Sequence, residues 1–200
     1  GERMSEEGTV LLKNENNALP LTQDETQKLS LLGFSSYYPV QGGDMGSSLN
    51  VNKGTDADTV DFVEALTAKG FGINADLQSL YKSLEADFKT EINMWGNIFE
   101  YYHITAPATD GVFISKEPSQ EKMAGVNSGW KDTLQNYNVM LVTIARSSTE
   151  NGTYLPGVEG VDASQNLNQT DPLGLSDDER DLINAAVEAK NTNGGKVIVY

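Results

Sequence analysis

Three short stretches dominated by apolar residues stand out along the chain and predict strands. They cover Gln27–Phe34, Val139–Ile144 and Lys196–Tyr200. Parallel strands that are covered on both faces show such runs instead of a strict alternation, so the pattern is typical of the buried strands of an α/β sheet. Ahead of the first run, a polar stretch predicts a short helix, followed by the extended segment VLLKN.

Between these runs, apolar residues recur at the spacing of amphipathic helices. One predicted helix begins at Thr55 and stops at Gly70, and a second covers Asn74–Lys89. A third begins at Ser176, which is placed to form a capping box with Glu179. The residues expected on buried helix faces are Val60, Phe62, Val63 and Leu66, then Leu77, Leu80, Tyr81, Leu84 and Phe88, then Trp130 and Leu134, and finally Leu182, Ile183, Ala186 and Val187.

Strands and helices that alternate in this order predict an α/β fold. We expect a three-layer sandwich with a mainly parallel sheet flanked by helices, in a flavodoxin-like or Rossmann-like topology. One domain would cover residues 1–200, with an irregular excursion at about 90–122, where aromatic and turn residues show no clean period. A parallel strand at the end of the chain needs a neighbour, so we expect the chain to be a fragment.

Composition excludes several classes of function. The chain has 14 basic and 29 acidic residues and a formal charge of −15, which argues against nucleic acid and anionic membranes but suits a neutral sugar. No apolar run approaches the ~20 residues of a membrane span. The N-terminus lacks the apolar core of a signal peptide, and localisation, whether cytoplasmic or secreted, stays open.

Several kinds of reactive site are also unsupported. The chain has no cysteine and a single histidine, His103, without a G-x-S-x-G motif, which argues against nucleophilic triads. No ligand spacing predicts a metal. The glycine-rich stretch Gly42–Ser48 has neither nucleotide-binding spacing nor a following lysine, and Asp44 would repel a phosphate. We therefore expect no metal and no cofactor.

One carboxylate occupies the position of a candidate catalytic acid. Glu150 follows the apolar run Val139–Ile144, and ligands of α/β proteins bind outside the carboxyl ends of such strands. Glycoside hydrolysis needs a pair of carboxyl groups, about 5–5.5 Å apart in retaining enzymes. The chain offers no obvious second carboxyl group, and an ordinary solvated loop acid remains the alternative.

Four segments carry a resemblance to a known family. EGTVLLKNENNALPL, at Glu7–Leu21, closely resembles the EG-x-VLLKN-x-x-x-LPL signature of glycoside hydrolase family 3. LLGFSSYYPVQGGDMGSS resembles the strand and Gly/Ser loop of that family. TIARSSTENG resembles its R-x-x-G-E-G loop, and GLSDDERDLINAA is similar to its LS-x-x-E-x-x-LI helix.

The resemblance implies the α/β sandwich domain of that family, in which a separate (β/α)₈ barrel, absent from this chain, supplies an aspartate nucleophile. By the same resemblance, Arg146 matches the motif arginine and Glu150 the acid/base. Thr149 and Asn151 replace the glycines of the motif, and Glu159 in GVEGVD is a rival for the acid/base. The substrate contacts implied near the sugar are Gly43, Asp44, Gly46, Ser47 and Ser48.

The resemblance thus implies part of a retaining β-glycosidase, of the β-glucosidase type, acting on a β-linked glucoside or oligosaccharide. Its partner would be the barrel domain of the same parent chain, and the isolated fragment would be inactive. A non-catalytic carbohydrate-binding or interdomain module with the same fold is the alternative. The identity of the sugar, its linkage and the oligomeric state, including a homo-oligomer, stay open.

Overall fold

The computed structural model describes residues 2–38, 60–94, 97–102, 104–105, 114–115, 117–145 and 174–200. The helices in these ranges are α1 (Glu2–Gly8), α2 (Phe62–Ala68), α3 (Ala75–Ser83), α4 (Glu85–Phe88), α5 (Gln120–Val126), α6 (Trp130–Thr133) and α7 (Asp177–Asn193). The strands are β1 (Leu29–Leu32), β2 (Lys89–Met94), β3 (Asn97–Tyr102), β4 (Ile104–Thr105), β5 (Ile114–Ser115), β6 (Val139–Val142) and β7 (Lys196–Val199). None of the described helices is long and apolar enough to cross a membrane.

The central sheet is parallel, with the strand order β1, β6, β7. On the free side of β1, Ile73 forms a parallel bridge with Leu29, whose N–H donates to the Gly72 carbonyl at 3.0 Å. In the chain, this short segment follows β1 and precedes β6. When the four strands are numbered by their order in the chain, they lie side by side in the order second, first, third, fourth. That is the flavodoxin-like order, and it places the topological switch point between β1 and β6.

Helices cover the sheet and exclude water from β1, all four residues of which are buried. Helix α3 packs against α5 and α6, and α5 packs against α7. Helix α3 also contacts β1, and α7 contacts β6. Helix α2 belongs to the connection from β1 to Ile73. This connection runs to the side of β1 that faces away from β6, whereas the later connections run toward β6 and β7. The right-handed crossover rule therefore assigns α2 to the opposite face. The predicted α/β sandwich with a parallel sheet flanked by helices is confirmed.

Local capping explains where the two longest of the described helices, α3 and α7, begin. Asn74 accepts hydrogen bonds from the N–H groups of Asp76 and Leu77 at the start of α3, and its amide donates to Ser30 of β1 at 3.0 Å. The predicted capping box is confirmed, because Ser176 and Glu179 each accept the other's main-chain N–H. Helix α7 ends at Gly194, whose φ of 71° suits a glycine cap.

Four expectations differ from the structure. The predicted helix Asn74–Lys89 is divided at Leu84 into α3 and α4, and Lys89 is the first residue of β2. Helix α2 begins at Phe62 after the N-cap Asp61, and Val60, expected on its buried face, is exposed ahead of the helix, whereas Thr55 lies outside the described residues. Val187, expected in the core, is 39% exposed on α7. The segment expected to be an irregular excursion contains two antiparallel pairs, β2 with β3 and β4 with β5. Their pairing is a cross-strand interaction that helical periodicity does not reveal.

Candidate functional site at the sheet switch point

The candidate site is the crevice at the carboxyl ends of β1 and β6. Leu32 pairs with Val142 in the last register position of the two strands, so the chain leaves them side by side at Gly33 and Thr143. After Gly33 the sequence continues toward the glycine-rich stretch, and after Thr143 it continues toward Arg146. Strands that flank a switch point diverge into separate connections, which leaves a crevice for ligands.

Gly33 and Thr143 approach each other closely at this point. Gly33 has φ 101° and ψ 130°, and a Cβ built on it would lie 2.4 Å from the main-chain oxygen of Thr143. Only glycine satisfies both the backbone conformation and this distance. The glycine therefore allows the two strand ends to come together at the crevice.

Hydroxyl groups join the same two strand ends. Ser36 Oγ lies 2.7 Å from Thr143 Oγ1, and it also donates to the Leu32 carbonyl at 3.2 Å. Ser35 Oγ makes a longer contact of 3.4 Å with the Thr143 carbonyl. These bonds tie the short 3₁₀ turn Phe34–Ser36 to the end of β6, so the floor of the crevice is a single hydrogen-bonded unit.

A carboxyl group and a phenol hydroxyl accept hydrogen bonds from the N–H groups just beyond β1. Phe34 N–H donates to the two carboxyl oxygens of Glu117, at 2.9 Å and 3.2 Å. Gly33 N–H donates to the Tyr81 hydroxyl at 3.0 Å, and that hydroxyl makes a longer 3.4 Å contact with Glu117 Oε1. Burial raises the pKa of Tyr81 well above its usual value, so the phenol stays protonated.

Glu117 lies in an acidic environment. Burial raises the pKa of the Glu117 carboxyl to about 8, an effect that the Phe34 N–H opposes and that the negative charges of Glu179 and Asp178 strengthen. Burial also raises the pKa of Asp178 to about 6, with added repulsion from neighbouring acids on α7. Within the described ranges, no group of three or more His, Cys, Asp or Glu side chains could hold a metal ion.

Aromatic rings support the turn that follows β1. Phe34 stacks on Tyr38 with ring centroids 4.7 Å apart, and Tyr37 stacks on Tyr81 at the same distance. The Tyr37 hydroxyl donates to the Leu31 carbonyl at 2.9 Å, and the Tyr38 hydroxyl donates to Glu85 at 3.0 Å. The course of the chain from Gly33 to Tyr38 is thus set by packing as well as by hydrogen bonds.

None of the site residues predicted from the sequence is among the residues that the structure describes. They are Glu150, Arg146, Gly43, Asp44, Gly46, Ser47 and Ser48, with the rival Glu159. The structure describes the strand ends that precede them in the chain, and the roles of these residues stay predictions. Glu117 and Tyr81 were not predicted as site residues: Tyr81 was assigned to the core by its spacing, and Glu117 lies in a stretch without periodicity.

Solved structures provide a comparison for the whole fold. Two are structures of β-glucosidase 3B from Thermotoga neapolitana, one in complex with α-D-glucose and one with glucose. Each aligns with 95% of this chain at a TM-score of 0.58, with 21% and 22% sequence identity. The chain has a fold like that of a glycoside hydrolase family 3 domain. The resemblance expected from the motifs is therefore confirmed at the level of the fold.

The match covers only part of the similar β-glucosidases. The chain spans 22% of the length of the β-glucosidase chains that it resembles. No protein-family model matches the chain, and no curated protein sequence matches it significantly. At this level of identity the likeness establishes a shared architecture, and the chemistry of the site has to be argued from this chain's own residues.

Proposed function

We propose that this chain is the α/β sandwich domain of a retaining β-glycosidase of the β-glucosidase type, which hydrolyses the O-glycosyl bonds of β-linked glucosides or oligosaccharides. One topological observation carries the proposal. The two segments that resemble the family's sugar-site loops follow β1 and β6, the strands on either side of the switch point. The glucose bound in both similar β-glucosidase structures supports the same substrate class.

In this proposal Glu150 is the general acid/base. It protonates the glycosidic oxygen as the bond to the leaving group breaks, and it later deprotonates the water that releases the sugar from the enzyme. An aspartate nucleophile comes from a (β/α)₈ barrel of the same parent chain. The substrate contacts are Arg146, Gly43, Asp44, Ser47 and Ser48. Without the nucleophile, residues 1–200 alone are expected to be inactive.

Glu150→Gln in the full-length enzyme tests the acid role. We expect kcat/KM for substrates with poor leaving groups to fall by about 10²–10⁴-fold, the usual contribution of general acid–base catalysis. Substrates whose leaving groups depart without protonation should lose much less in the glycosylation step. The matched control is Glu159→Gln, which removes the rival carboxylate and should leave this leaving-group dependence unchanged.

The two variants also separate the open alternatives. Full activity of Glu150→Gln with loss in Glu159→Gln would transfer the acid role to Glu159. Unchanged turnover in both variants would overturn the acid/base assignment to this chain. Sugar binding without any effect of either carboxylate on hydrolysis would identify the non-catalytic carbohydrate-binding module instead.

A further inference from the structure

At the exit from β1, two consecutive main-chain N–H groups donate to side chains. Buried main-chain N–H groups are almost always paired, and here the acceptors come from parts of the chain that are distant in sequence. Consecutive N–H groups at a turn are also a common setting for anion binding. In this chain side chains take that position: the Tyr81 hydroxyl accepts from Gly33 and the Glu117 carboxyl group accepts from Phe34.

The acceptor from Glu117 comes from a distant part of the chain. Glu117 and Phe34 are 83 residues apart in sequence, and Glu117 lies just ahead of α5. Helix α5 in turn packs against α3, which carries Tyr81, and against α7. The turn after β1 is therefore attached to the helical layer as well as to the sheet.

We propose that Glu117 is a positioning residue: together with the Tyr81 hydroxyl, its carboxyl group holds the turn Gly33–Tyr38 and so sets the direction in which the chain enters the proposed sugar site. This inference rests on the proposed function for the sugar site, but the hold on the turn is a property of described residues alone. Glu117 acts through the main chain and makes no contact with the reacting atoms.

Three variants of the full-length enzyme test the hold directly, with amide hydrogen exchange over residues 33–38 as the readout. Glu117→Leu removes both acceptor oxygens, and Tyr81→Phe removes only the hydroxyl that accepts from Gly33. Both should exchange at least tenfold faster over these residues. Glu117→Gln retains one acceptor oxygen for the Phe34 N–H, and its exchange should stay close to that of the unaltered enzyme.

The matched control is Glu25→Leu. Glu25 is also a half-buried carboxylate that accepts a main-chain N–H, from Thr22 at 2.7 Å, and it pairs with Lys196 at 2.8 Å. It lies ahead of β1, at the amino ends of the strands, whereas the crevice lies at their carboxyl ends. Its loss should affect stability without changing the exchange of residues 33–38.

Kinetics then test whether the hold serves the sugar site. Misplacement of substrate-positioning groups by about 1 Å can cost on the order of a hundredfold in rate. We expect kcat/KM to fall about 10–100-fold in Glu117→Leu, with a clear rise in KM, and to be restored by Glu117→Gln. Below the unfolding temperature, Glu25→Leu should retain the KM of the unaltered enzyme.

Each outcome decides one question. Unchanged exchange in Glu117→Leu and Tyr81→Phe would overturn the hold itself. Faster exchange with an unchanged KM, in an enzyme that Glu150→Gln inactivates, would overturn the link to the sugar site but not the proposed function. Loss of kcat in Glu117→Gln with unchanged KM would contradict a positioning role and indicate direct participation in the reaction. A fully active Glu150→Gln enzyme would overturn the acid assignment and leave the exchange and KM results readable.

Discussion

Gly33 allows a quantitative test of the close approach between β1 and β6. A Gly33→Ala substitution adds one methyl group at a residue with φ 101°, and that group would lie 2.4 Å from the main-chain oxygen of Thr143. Backbone strain in sparsely populated regions costs about 1–3 kcal/mol. Overpacking against atoms that cannot move freely costs about 1–3 kcal/mol more. We therefore expect the free energy of unfolding to fall by about 2–6 kcal/mol.

Two other glycines separate the contributions to this cost. Gly194 has φ 71° but open space where a Cβ would be, so Gly194→Ala measures a left-handed conformation alone and should cost about 1–2 kcal/mol. Gly125 lies in α5 with nothing within 4 Å, and Gly125→Ala should stabilise by about 0.5–1 kcal/mol because alanine favours helices.

Urea unfolding of the three variants, followed by circular dichroism, gives the comparison, provided that the m-value stays constant across the series. The decisive quantity is the difference between Gly33→Ala and Gly194→Ala, since it isolates the contact with Thr143. If the Gly33 variant were no less stable than the Gly194 variant, the two strand ends would not approach as closely as the structure has them, and the geometry of the crevice floor would be wrong.

Two further predictions concern α7 and the acidic group beside it. Because Glu117 has a folded-state pKa of about 8 against an ordinary value of 4.5, the native state binds the extra proton between these values, and stability should fall as pH rises from about 5 to 8. Urea unfolding at both pH values should show a smaller loss of stability in Glu117→Gln than in the unaltered protein, by at most about 5 kcal/mol. An equal loss of stability between the two pH values in both proteins would contradict the raised pKa. Ser176→Ala should lower the free energy of unfolding by about 0.5–2 kcal/mol through loss of the N-cap. Thr192→Ala, on the exposed side of the same helix, should change it by no more than about 0.5 kcal/mol. Similar losses of stability in both variants would refute the capping assignment.

The elements that the sequence predicted correctly depend on local interactions. The strands Leu29–Leu32 and Val139–Val142 lie inside the apolar runs, because a short run of this kind is stable only when it is covered on both faces. The start of α7 follows from Ser176 and Glu179, which are three residues apart and cap each other. Signals of this range are contained in a few consecutive residues and can be recognised without knowledge of the fold.

The parts that the sequence did not predict depend on contacts between distant residues. The bridge between Leu29 and Ile73 fixes the strand order, yet no residue near Ile73 forms an apolar run. The role of Glu117 depends on a partner 83 residues away. Val187 continues the apolar stripe of α7, but the burial of a helix face ends where its neighbours end. Each of these outcomes is decided by tertiary packing, which overrides local pattern.

For the candidate site, the sequence and the structure contribute different halves of the reasoning. The sequence supplies the resemblance that singles out Glu150 and Arg146. The structure supplies the switch point and the strand ends that precede both segments. The roles of those side chains stay predictions, because both residues lie outside the described ranges and the proposed reaction depends on the distance between two carboxyl groups.

In the proposed function a second domain completes the site, and this places a specific demand on the chain. The part contributed by each domain has to be held before the two meet, since a group that is 1 Å out of place loses most of its effect on the reaction. The described residues meet that demand at the strand ends. Gly33 lies against Thr143, Ser36 bonds to Thr143, and Glu117 and Tyr81 take up the N–H groups beyond β1. Because these contacts hold the chain where the two segments begin, we expect the direction in which the segments leave the sheet to depend on the strand ends and not on the departures from the family motif around Glu150.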